Sequence, residues 1–247
     1  MGQSLVLSVP YAALGRLPRS PGLTSSHSTY ILVGMSKVKT RRNPDQTRKN
    51  LIQAAYWEIY RHGFRPASLD RILAQAGVTK GALYHHFPNK AALGHAVVEE
   101  VIRPLIHRIW IDPINRAENP LEALAALRQA MEGNLSTGAC ELGCPLNNLS
   151  QEMSSVDESF RKRLNEIFQL WQEAIARSLR QGQQLSQIRS DVDPDRSAAF
   201  IIATIEGSIG MSKNTQNSEP WIACKEGLER YMEGMLTNDA DWLPPAP

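Results

Sequence analysis

Apolar residues recur every three or four positions through most of this chain, which is the spacing of helices that bury one face. Leu51, Ala55 and Ile59 begin the pattern, and it resumes between capping residues, glycines and prolines. No stretch alternates apolar and polar residues convincingly over the length of a strand. The pattern predicts an all-α fold with helices near 44–62, 68–76, 79–87, 89–110, 120–133, 144–153, 157–182, 193–212 and 220–236, and a loop over 134–144. Asp157 and Asp193 are the predicted N-caps of the helices that they begin.

The stretch from Ser68 to Lys90 contains two of these helices, joined by a tight turn. Ser68 and Thr79 are predicted N-caps, because each hydroxyl can accept a hydrogen bond from an amide of the following turn. Gly77 suits the positive φ that ends a helix, and Pro88 stops the second helix. This is the helix-turn-helix arrangement that places one helix in the major groove of DNA.

The next helix begins at Asn89 as N-cap and carries apolar residues towards Trp110. Pro104 lies inside this pattern and has no amide hydrogen, so the sequence predicts a kink there or two abutting helices. This helix is expected to connect the helix-turn-helix with the rest of the chain.

Charge divides the chain into two parts, although the formal net charge is only +2. Residues 36–90 contain 11 lysines and arginines against 3 acidic residues, whereas residues 91–247 contain 14 against 22. A basic N-terminal part on an acidic body indicates that this end meets a polyanion. Residues 36–49, which end in Arg48 and Lys49, are predicted to form a basic arm that contacts phosphates or the minor groove. A solvated charged tail is the alternative.

Residues 1–40 are predicted to form a disordered extension, rich in proline, glycine, serine and threonine. No charge precedes the apolar residues 5–9, so the segment does not match a signal peptide. A translation start at Met35 is a further hypothesis. No run of about 18 apolar residues predicts a membrane span. The three cysteines, an odd number, indicate a reducing cytoplasm rather than a disulfide framework.

Residues 47–93 resemble the DNA-binding part of TetR-type transcriptional repressors, through AGVTKG at the turn, LYHHF in the second helix and K-x-x-L after it. The resemblance implies a three-helix DNA-binding domain over residues 41–92 and a helical ligand-binding and dimerisation domain over residues 93–238. GCPLNNLSQEMSSVDESFRKRL is similar to a subgroup with a Gly-Cys motif that regulates detoxification and small-molecule stress genes. The long N-terminal extension and Pro104 depart from the family pattern.

The resemblance implies DNA contacts from the start of the first short helix, from the second, and from the start of the next. By position these residues are Ser68, Thr79, Lys80, Gly81, Ala82, Tyr84, His85 and Lys90. Lys80 is the expected base contact, since a lysine can donate to guanine O6 and N7. Thr79, Tyr84 and Lys90 are expected to hold phosphates, which position the helix without specifying a sequence. A core aromatic is the alternative for Tyr84.

Proteins of this kind bind a palindromic operator as a homodimer, because two half-sites give more discrimination than one. Ala203, Gly207 and Gly210 lie in an apolar helix and are small enough to permit close packing. That helix and the last one are therefore the predicted dimer interface. A helix buried on all sides within one chain is the alternative.

Cys144 is the candidate sensor in the body. It precedes Pro145 at the expected start of a short helix, where the helix dipole lowers the pKa of a thiol and favours reaction with electrophiles or oxidants. Some members of the related subgroup use a cysteine at the corresponding Gly-Cys. A buried, inert cysteine is the alternative. Lys213 is a candidate to support the thiolate, with a solvent-facing position as its alternative.

A non-covalent small-molecule effector is the second possibility for the body. Its pocket is predicted to include Phe168 and Trp171, with Asn147, Asn148 or Glu206 as polar anchors. The aromatic residues fit a plain hydrophobic core equally well.

The sequence contains no glycine-rich phosphate loop, no Gly-x-Ser-x-Gly and no His-Glu-x-x-His, so an enzyme is not expected. No cofactor is expected, and no metal site either, because the adjacent His85 and His86 point in different directions from a helix. The favoured function is a repressor that a small molecule or a reactive electrophile releases from DNA. An architectural or cell-division factor that binds DNA without sensing a ligand is the alternative.

Overall fold

A computed structural model describes residues 44–135 and 139–237 of the protein. The predicted extension 1–40, the proposed start at Met35 and residues 136–138 lie outside the described residues. The described helices are α1 Pro44–His62, α2 Leu69–Ala76, α3 Lys80–His86, α4 Lys90–Val97, α5 Arg103–Ile106, α6 Asp112–Arg116, α7 Pro120–Leu135, α8 Ala139–Leu142, α9 Pro145–Met153, α10 Glu158–Gln184, α11 Pro194–Thr215 and α12 Glu219–Glu233. These residues contain no strand, only an isolated antiparallel bridge between Ile188 and Leu236. The predicted all-α class is confirmed.

α1, α2 and α3 enclose the small core of the helix-turn-helix. Its buried members include Leu51, Ala55, Ile59, Ile72, Leu83 and Phe87. The Ser68 hydroxyl accepts a hydrogen bond from the Arg71 amide at 3.3 Å, and the Thr79 hydroxyl accepts one from the Ala82 amide at 3.3 Å. Gly77 ends α2 with a φ of 66°. Both predicted N-caps and the predicted glycine stop are confirmed.

The chain stays helical from Lys90 to Arg116 and passes through Pro104. α4 continues into a π-helical turn, Val98–Ile102, and a second π-helical turn, His107–Ile111, follows α5. A π turn changes the hydrogen-bond register, so it accommodates a proline ring that cannot donate the usual i→i−4 bond. The interruption that the sequence predicts therefore takes the form of π turns within one helical run.

α10 is the central helix of the body and packs against α7, α9 and α11. Asp157 and Asp193 cap α10 and α11 by accepting amide hydrogen bonds, as the sequence predicts. The rings of Trp110 and Trp171, both fully buried, stack with 5.0 Å between their centroids. The prediction of a loop over 134–144 is wrong in part, because α7 extends to Leu135 and the short helix α8 follows.

α11 and α12 pack against each other and leave an apolar outer face, which we call the α11–α12 face. Its exposed members are Ala199, Phe200, Ala203, Gly207, Gly210 and Met211 on α11, and Ala223, Gly227 and Tyr231 on α12. A Cβ added at Gly207, Gly210 or Gly227 would meet nothing within 4 Å. The helix is thus buried on one side only, and the alternative of burial on all sides within one chain is wrong.

Candidate nucleic-acid interface and its connection to the body

α3 presents one polar face outward and anchors itself from the opposite side. Leu83 is buried in the core of the helix-turn-helix. The exposed residues of the outer face are Thr79, Lys80, Gly81, Tyr84 and His85. Tyr84 is 46% exposed, so the alternative of a core aromatic is wrong. A short helix with one lysine, one tyrosine and one histidine standing clear of the protein has the shape and the donors for insertion into a groove.

The first turn of α3 leaves the backbone accessible. The Thr79 oxygen accepts the Ala82 amide, while its hydroxyl hydrogen remains free to donate to a phosphate. A Cβ added at Gly81 would find its nearest neighbour, the Thr79 oxygen, at 4.0 Å, so the outer side of this position is open. Ser68 and Ala82 are half-buried at the edge of the same face.

The Lys90 side chain makes contacts within the protein that the sequence does not predict. Its ammonium donates a hydrogen bond to the Arg65 carbonyl at 3.0 Å and lies 5.1 Å from the centroid of the Phe64 ring. Burial lowers the pKa of Lys90, and the charges of Glu152 and Glu58 oppose that effect. Two of the three ammonium hydrogens remain for a phosphate, so Lys90 both braces the turn after α1 and stays a candidate phosphate contact.

A buried carboxylate fixes α2 on α1. Glu58 is 6% exposed and accepts hydrogen bonds from the Arg71 guanidinium at 2.5 and 2.8 Å and from the Ser68 amide at 2.9 Å. Burial alone would raise the pKa of Glu58, but the hydrogen bonds and charge of Arg71 with the Ser68 amide outweigh it and lower the pKa. The network sets the position of Ser68 at the start of α2.

The predicted basic arm is wrong at its C-terminal end. The structure places Arg48 and Lys49 inside α1. The Arg48 guanidinium pairs with Glu100 at 2.5 and 2.6 Å and lies 5.3 Å from the centroid of the Phe87 ring. Arg48 therefore ties α1 to the helical run after α4 instead of reaching for DNA.

Two contacts connect the body with the C-terminal end of α1. The Glu152 carboxylate of α9 accepts hydrogen bonds from the Phe64 and Arg65 amides, each at 2.7 Å. The Tyr60 hydroxyl of α1 donates a hydrogen bond of 2.5 Å to the Gly143 carbonyl, just before α9. We call these two contacts the α1–α9 clamp. Any movement of α9 must break the clamp or carry the helix-turn-helix with it.

Cys144 occupies the predicted N-cap of α9, but the predicted low pKa of its thiol is wrong. The side chain makes no cap hydrogen bond and is 6% exposed. Burial and the neighbouring Glu206 raise the pKa of Cys144 well above its ordinary value, and the Asn147 and Leu146 amides only partly oppose them. The alternative of a buried cysteine describes this residue better than the reactive thiolate.

Glu206 is the unusual partner of Cys144. It is 6% exposed, and Cys144 and Asn147 lie close to its carboxyl group, although among the described residues neither carboxyl oxygen has a hydrogen bond of ordinary geometry. Burial raises the pKa of Glu206 to about 7, although Cys144 and Asn147 pull it down. The pair thus favours a neutral thiol next to a carboxyl group that keeps its proton to a higher pH than an exposed glutamate does.

The other predicted sensing residues separate into two groups. Lys213 does not face solvent alone: its ammonium donates a hydrogen bond of 3.1 Å to the Asn148 side chain. Trp171 is fully buried against Trp110, and the half-buried Phe168 packs against the same core. Trp171 and Phe168 therefore have the position of core residues, whereas Lys213 belongs to the region of the α1–α9 clamp.

A cavity of about 500 Å³ lies between α1, the end of α4 with the following π turn, and α9, and the end of α11 reaches it. Its apolar lining includes Ile59, Val97, Ile102 and Leu149, and its polar lining includes Tyr60, Asn148, Glu152 and Lys213. Both sides of the α1–α9 clamp are therefore part of the cavity wall. We call it the clamp cavity.

The described residues meet neither the requirements of a three-ligand metal site nor those of a membrane-spanning helix. Within the described ranges, no three histidine, cysteine, aspartate or glutamate side chains group as they would around a metal ion. None of the helices in those ranges is both long and apolar enough to cross a membrane.

Glu58, Tyr60 and Glu152 have structural roles that the periodic pattern of the sequence does not indicate. Glu58 lies seven positions after Leu51, on the apolar stripe of α1, and a charge at such a position signals a buried ion pair. Tyr60 and Glu152 carry no comparable signal, because their partners lie 83 and 88 residues away along the chain.

Family comparisons agree with this division into two parts. Residues 51–97 match the family described as bacterial regulatory proteins, tetR family. Residues 120–225 match the tetracyclin repressor-like C-terminal domain. The two matches fall on the helix-turn-helix with α4 and on the body from α7 into α12.

Individual relatives are similar over most of their length. The HTH-type transcriptional repressor DhaR of Mycobacterium sp. (strain GP1) is 29% identical over 180 residues, which are 70% of this chain and 85% of DhaR. The transcriptional regulator AcuR of Cereibacter sphaeroides is 29% identical over 187 residues, 74% of this chain and 84% of AcuR. A crystal structure of the regulatory protein TetR from Rhodobacter sphaeroides has a TM-score of 0.66 at 27% identity and covers 75% of this chain and 98% of that one.

Proposed function

Because the chain belongs to the TetR family of DNA-binding transcriptional regulators, we propose that it is a repressor that binds a palindromic operator as a homodimer and is released by a small molecule. The matched family model and the relative DhaR are described as transcriptional regulators and not as enzymes. The relative DhaR is itself named a repressor, which supports repression rather than activation as the proposed effect on transcription.

The observation that carries the proposal is the outer face of α3. Lys80, Tyr84 and His85 stand clear of the protein on a helix whose opposite side is anchored by the buried Leu83. Lys80 supplies the base contact, and Thr79 and Tyr84 donate to phosphates. The excess of basic residues in this part of the chain favours approach to DNA before any specific contact forms.

The α11–α12 face supports the homodimer. Phe200 is 49% exposed and Met211 is 56% exposed, and small residues lie between them along α11. Apolar side chains flanking glycines allow two copies of α11 and α12 to approach closely and bury both faces. A two-fold axis through this face requires a two-fold arrangement of half-sites, which is the reason for proposing a palindromic operator.

Of the two release mechanisms that the sequence suggests, the buried Cys144 favours the non-covalent one. A thiol with a raised pKa is a poor nucleophile, and its burial restricts access for an electrophile. The clamp cavity, in contrast, offers space at the junction between body and helix-turn-helix.

Selection of bound sequences from randomised double-stranded DNA tests the proposal, combined with light scattering of the free protein. The expected result is an enriched palindrome and a dimeric mass at micromolar concentration. Enrichment without two-fold symmetry, or a monomeric mass, would contradict the dimeric repressor. Binding to all sequences alike would favour the architectural factor.

A further inference from the structure

Lys213 is a half-buried cation in the lining of the clamp cavity. Among the described residues, Lys213 has no carboxylate within ion-pair distance, and its hydrogen-bond acceptor is the neutral Asn148 amide. Lys213 is only half-exposed, so its charge is partly removed from water. A partly buried ammonium paired only with an amide is a place where an anionic ligand gains a charge-assisted hydrogen bond.

Lys213 and Arg61 outnumber the single acidic residue of the cavity lining, Glu152. The Phe64 and Arg65 amides, 2.7 Å from Glu152, orient its carboxylate towards themselves but do not cancel its charge. Arg61 and His62 are exposed at the cavity rim and add positive charge or none. The electrostatic balance inside the cavity therefore favours a ligand that carries a negative charge.

Gly143 allows the Lys213 side chain to pack close to the α1–α9 clamp. Its φ is +81°, and a Cβ at this position would lie 2.9 Å from the Lys213 Cδ and 3.1 Å from the Asn148 Oδ1. Only a glycine combines this backbone conformation with so close an approach. The Gly143 carbonyl also accepts the hydrogen bond from the Tyr60 hydroxyl. Gly143 therefore lies against Lys213 and also forms one of the two contacts of the α1–α9 clamp.

We propose that the clamp cavity binds a small organic monocarboxylate with an apolar body, and that this ligand lowers operator affinity by disturbing the α1–α9 clamp. The carboxylate accepts from the Lys213 ammonium, and the apolar body lies against Ile59, Val97 and Leu149. A single lysine suits a monoanion, whereas a phosphate dianion is usually bound by several donors or an arginine fork. A cavity of about 500 Å³ has the size of a small-molecule site.

The coupling follows from where the ligand binds. Release requires that the ligand binds more tightly to the conformation in which the helix-turn-helix is misplaced. A carboxylate on Lys213 accepts an ammonium hydrogen that Asn148 does not use, and it lies beside the Tyr60–Gly143 hydrogen bond. Weakening that bond loosens α1 from the start of α9, and α1 carries α2 and α3 with it.

The inference rests on the proposed release by a small molecule. Ligand binding to the protein without DNA tests the site independently of operator binding. Calorimetry with benzoate, neutral benzamide and inorganic phosphate, on wild type and Lys213→Met, measures the anion preference. Lys162→Met is the matched control, since it removes one exposed lysine of α10 outside the cavity. The thermal midpoint of each free variant establishes that it is folded.

We expect wild type and Lys162→Met to bind benzoate more tightly than benzamide or phosphate. Lys213→Met should lose about tenfold in benzoate affinity and little in benzamide affinity. Equal binding of benzoate and benzamide, unchanged benzoate affinity in Lys213→Met, or binding of phosphate as strong as benzoate would overturn the site.

Operator binding then separates the two proposals. Benzoate should weaken the operator complex of wild type, and Lys213→Met should need about ten times more benzoate for the same effect. Benzoate binding without any effect on operator affinity would overturn the coupling through the clamp. Failure of wild type to bind any operator would contradict the proposed function, while the DNA-free measurements would still decide the ligand site.

Discussion

The outer face of α3 and the region around Gly143 use polar groups in opposite ways. On α3, the side chains of Lys80 and Tyr84 are exposed, and among the described residues neither has a hydrogen-bond or ion-pair partner. Around Gly143, the polar groups of Tyr60, Cys144, Glu206 and Lys213 are buried or half-buried, and some are poorly satisfied. Exposed donors can serve a partner without changing the fold, whereas buried, imperfectly satisfied groups make the fold itself respond to changes in charge.

This difference explains why one chain can both bind and respond. A face built on the side of a short, well-anchored helix presents its donors in fixed positions. The polar contacts between α9 and the end of α1 come from Glu152 and Tyr60, and both residues line the clamp cavity, where a ligand can disturb them. Changes in the two regions should therefore produce responses that differ in size and in kind.

Glu206→Gln should change the pH dependence of stability. The pKa of Glu206 is raised to about 7 in the folded protein, so above pH 4–5 the unfolded chain releases a proton that the native state still holds. Wild type therefore loses stability as the pH rises from 5 to 8, by about 2–3 kcal/mol from this group. Glutamine cannot ionise, so the variant should gain that amount relative to wild type over the same range.

Urea unfolding of both proteins at pH 5 and pH 8 measures this difference. Parallel pH dependence in wild type and variant would show that Glu206 ionises normally and that the junction is not charge-sensitive.

Gly143→Ala should destabilise the protein and loosen the clamp. The added Cβ meets Lys213 and Asn148 at 2.9 and 3.1 Å, and the φ of +81° is strained for alanine, at a cost of about 1–2 kcal/mol. Gly81→Ala is the matched control, because a Cβ there has its nearest neighbour at 4.0 Å. Thermal unfolding should show a lower midpoint for Gly143→Ala only.

Operator binding should separate from stability only in Gly81→Ala, because loosening the clamp in Gly143→Ala lowers both. Gly81→Ala places a methyl group on the outer face of α3 and should weaken operator binding without loss of stability. If both variants behave alike in both measurements, the distinction between the binding face and the junction fails.

Arg48→Ala should have the smallest effect on stability. The Arg48–Glu100 pair is 37% and 43% exposed, and such pairs contribute about 0–1 kcal/mol. The effect should shrink further in 0.5 M salt because exposed charges are screened, a Debye length being about 4 Å there. A loss of several kcal/mol would mean that the contact of Arg48 with Phe87 is far more important than its exposure suggests.

The helix-turn-helix was predictable because its signals are local. Ser68, Gly77 and Thr79 specify the ends of α2 and α3 through hydrogen bonds within three or four residues. The caps at Asp157 and Asp193 are local for the same reason and were also predicted. Helix ends of this kind can be predicted from sequence because they depend only on residues close by along the chain.

The chemistry of the body was not predictable in the same way. The position of Cys144 at an N-cap was correct, yet its pKa depends on Glu206, 62 positions later in the numbering, and on burial. Pro104 predicted an interruption but not the π turns that absorb it. Long-range packing decides both features, and a periodic pattern does not specify which helix faces meet.

Operator affinity measured against salt concentration tests the role of α3 most directly. Wild type, Lys80→Ala and Lys90→Met are compared on the selected operator and on variants of each base pair. Lys80→Ala should lose about 1–3 kcal/mol and relax the preference at one position in each half-site. Lys90→Met should weaken all sequences about equally and flatten the salt dependence. If Lys80→Ala instead weakens every sequence equally, or if neither variant affects binding, α3 is not the base-reading element.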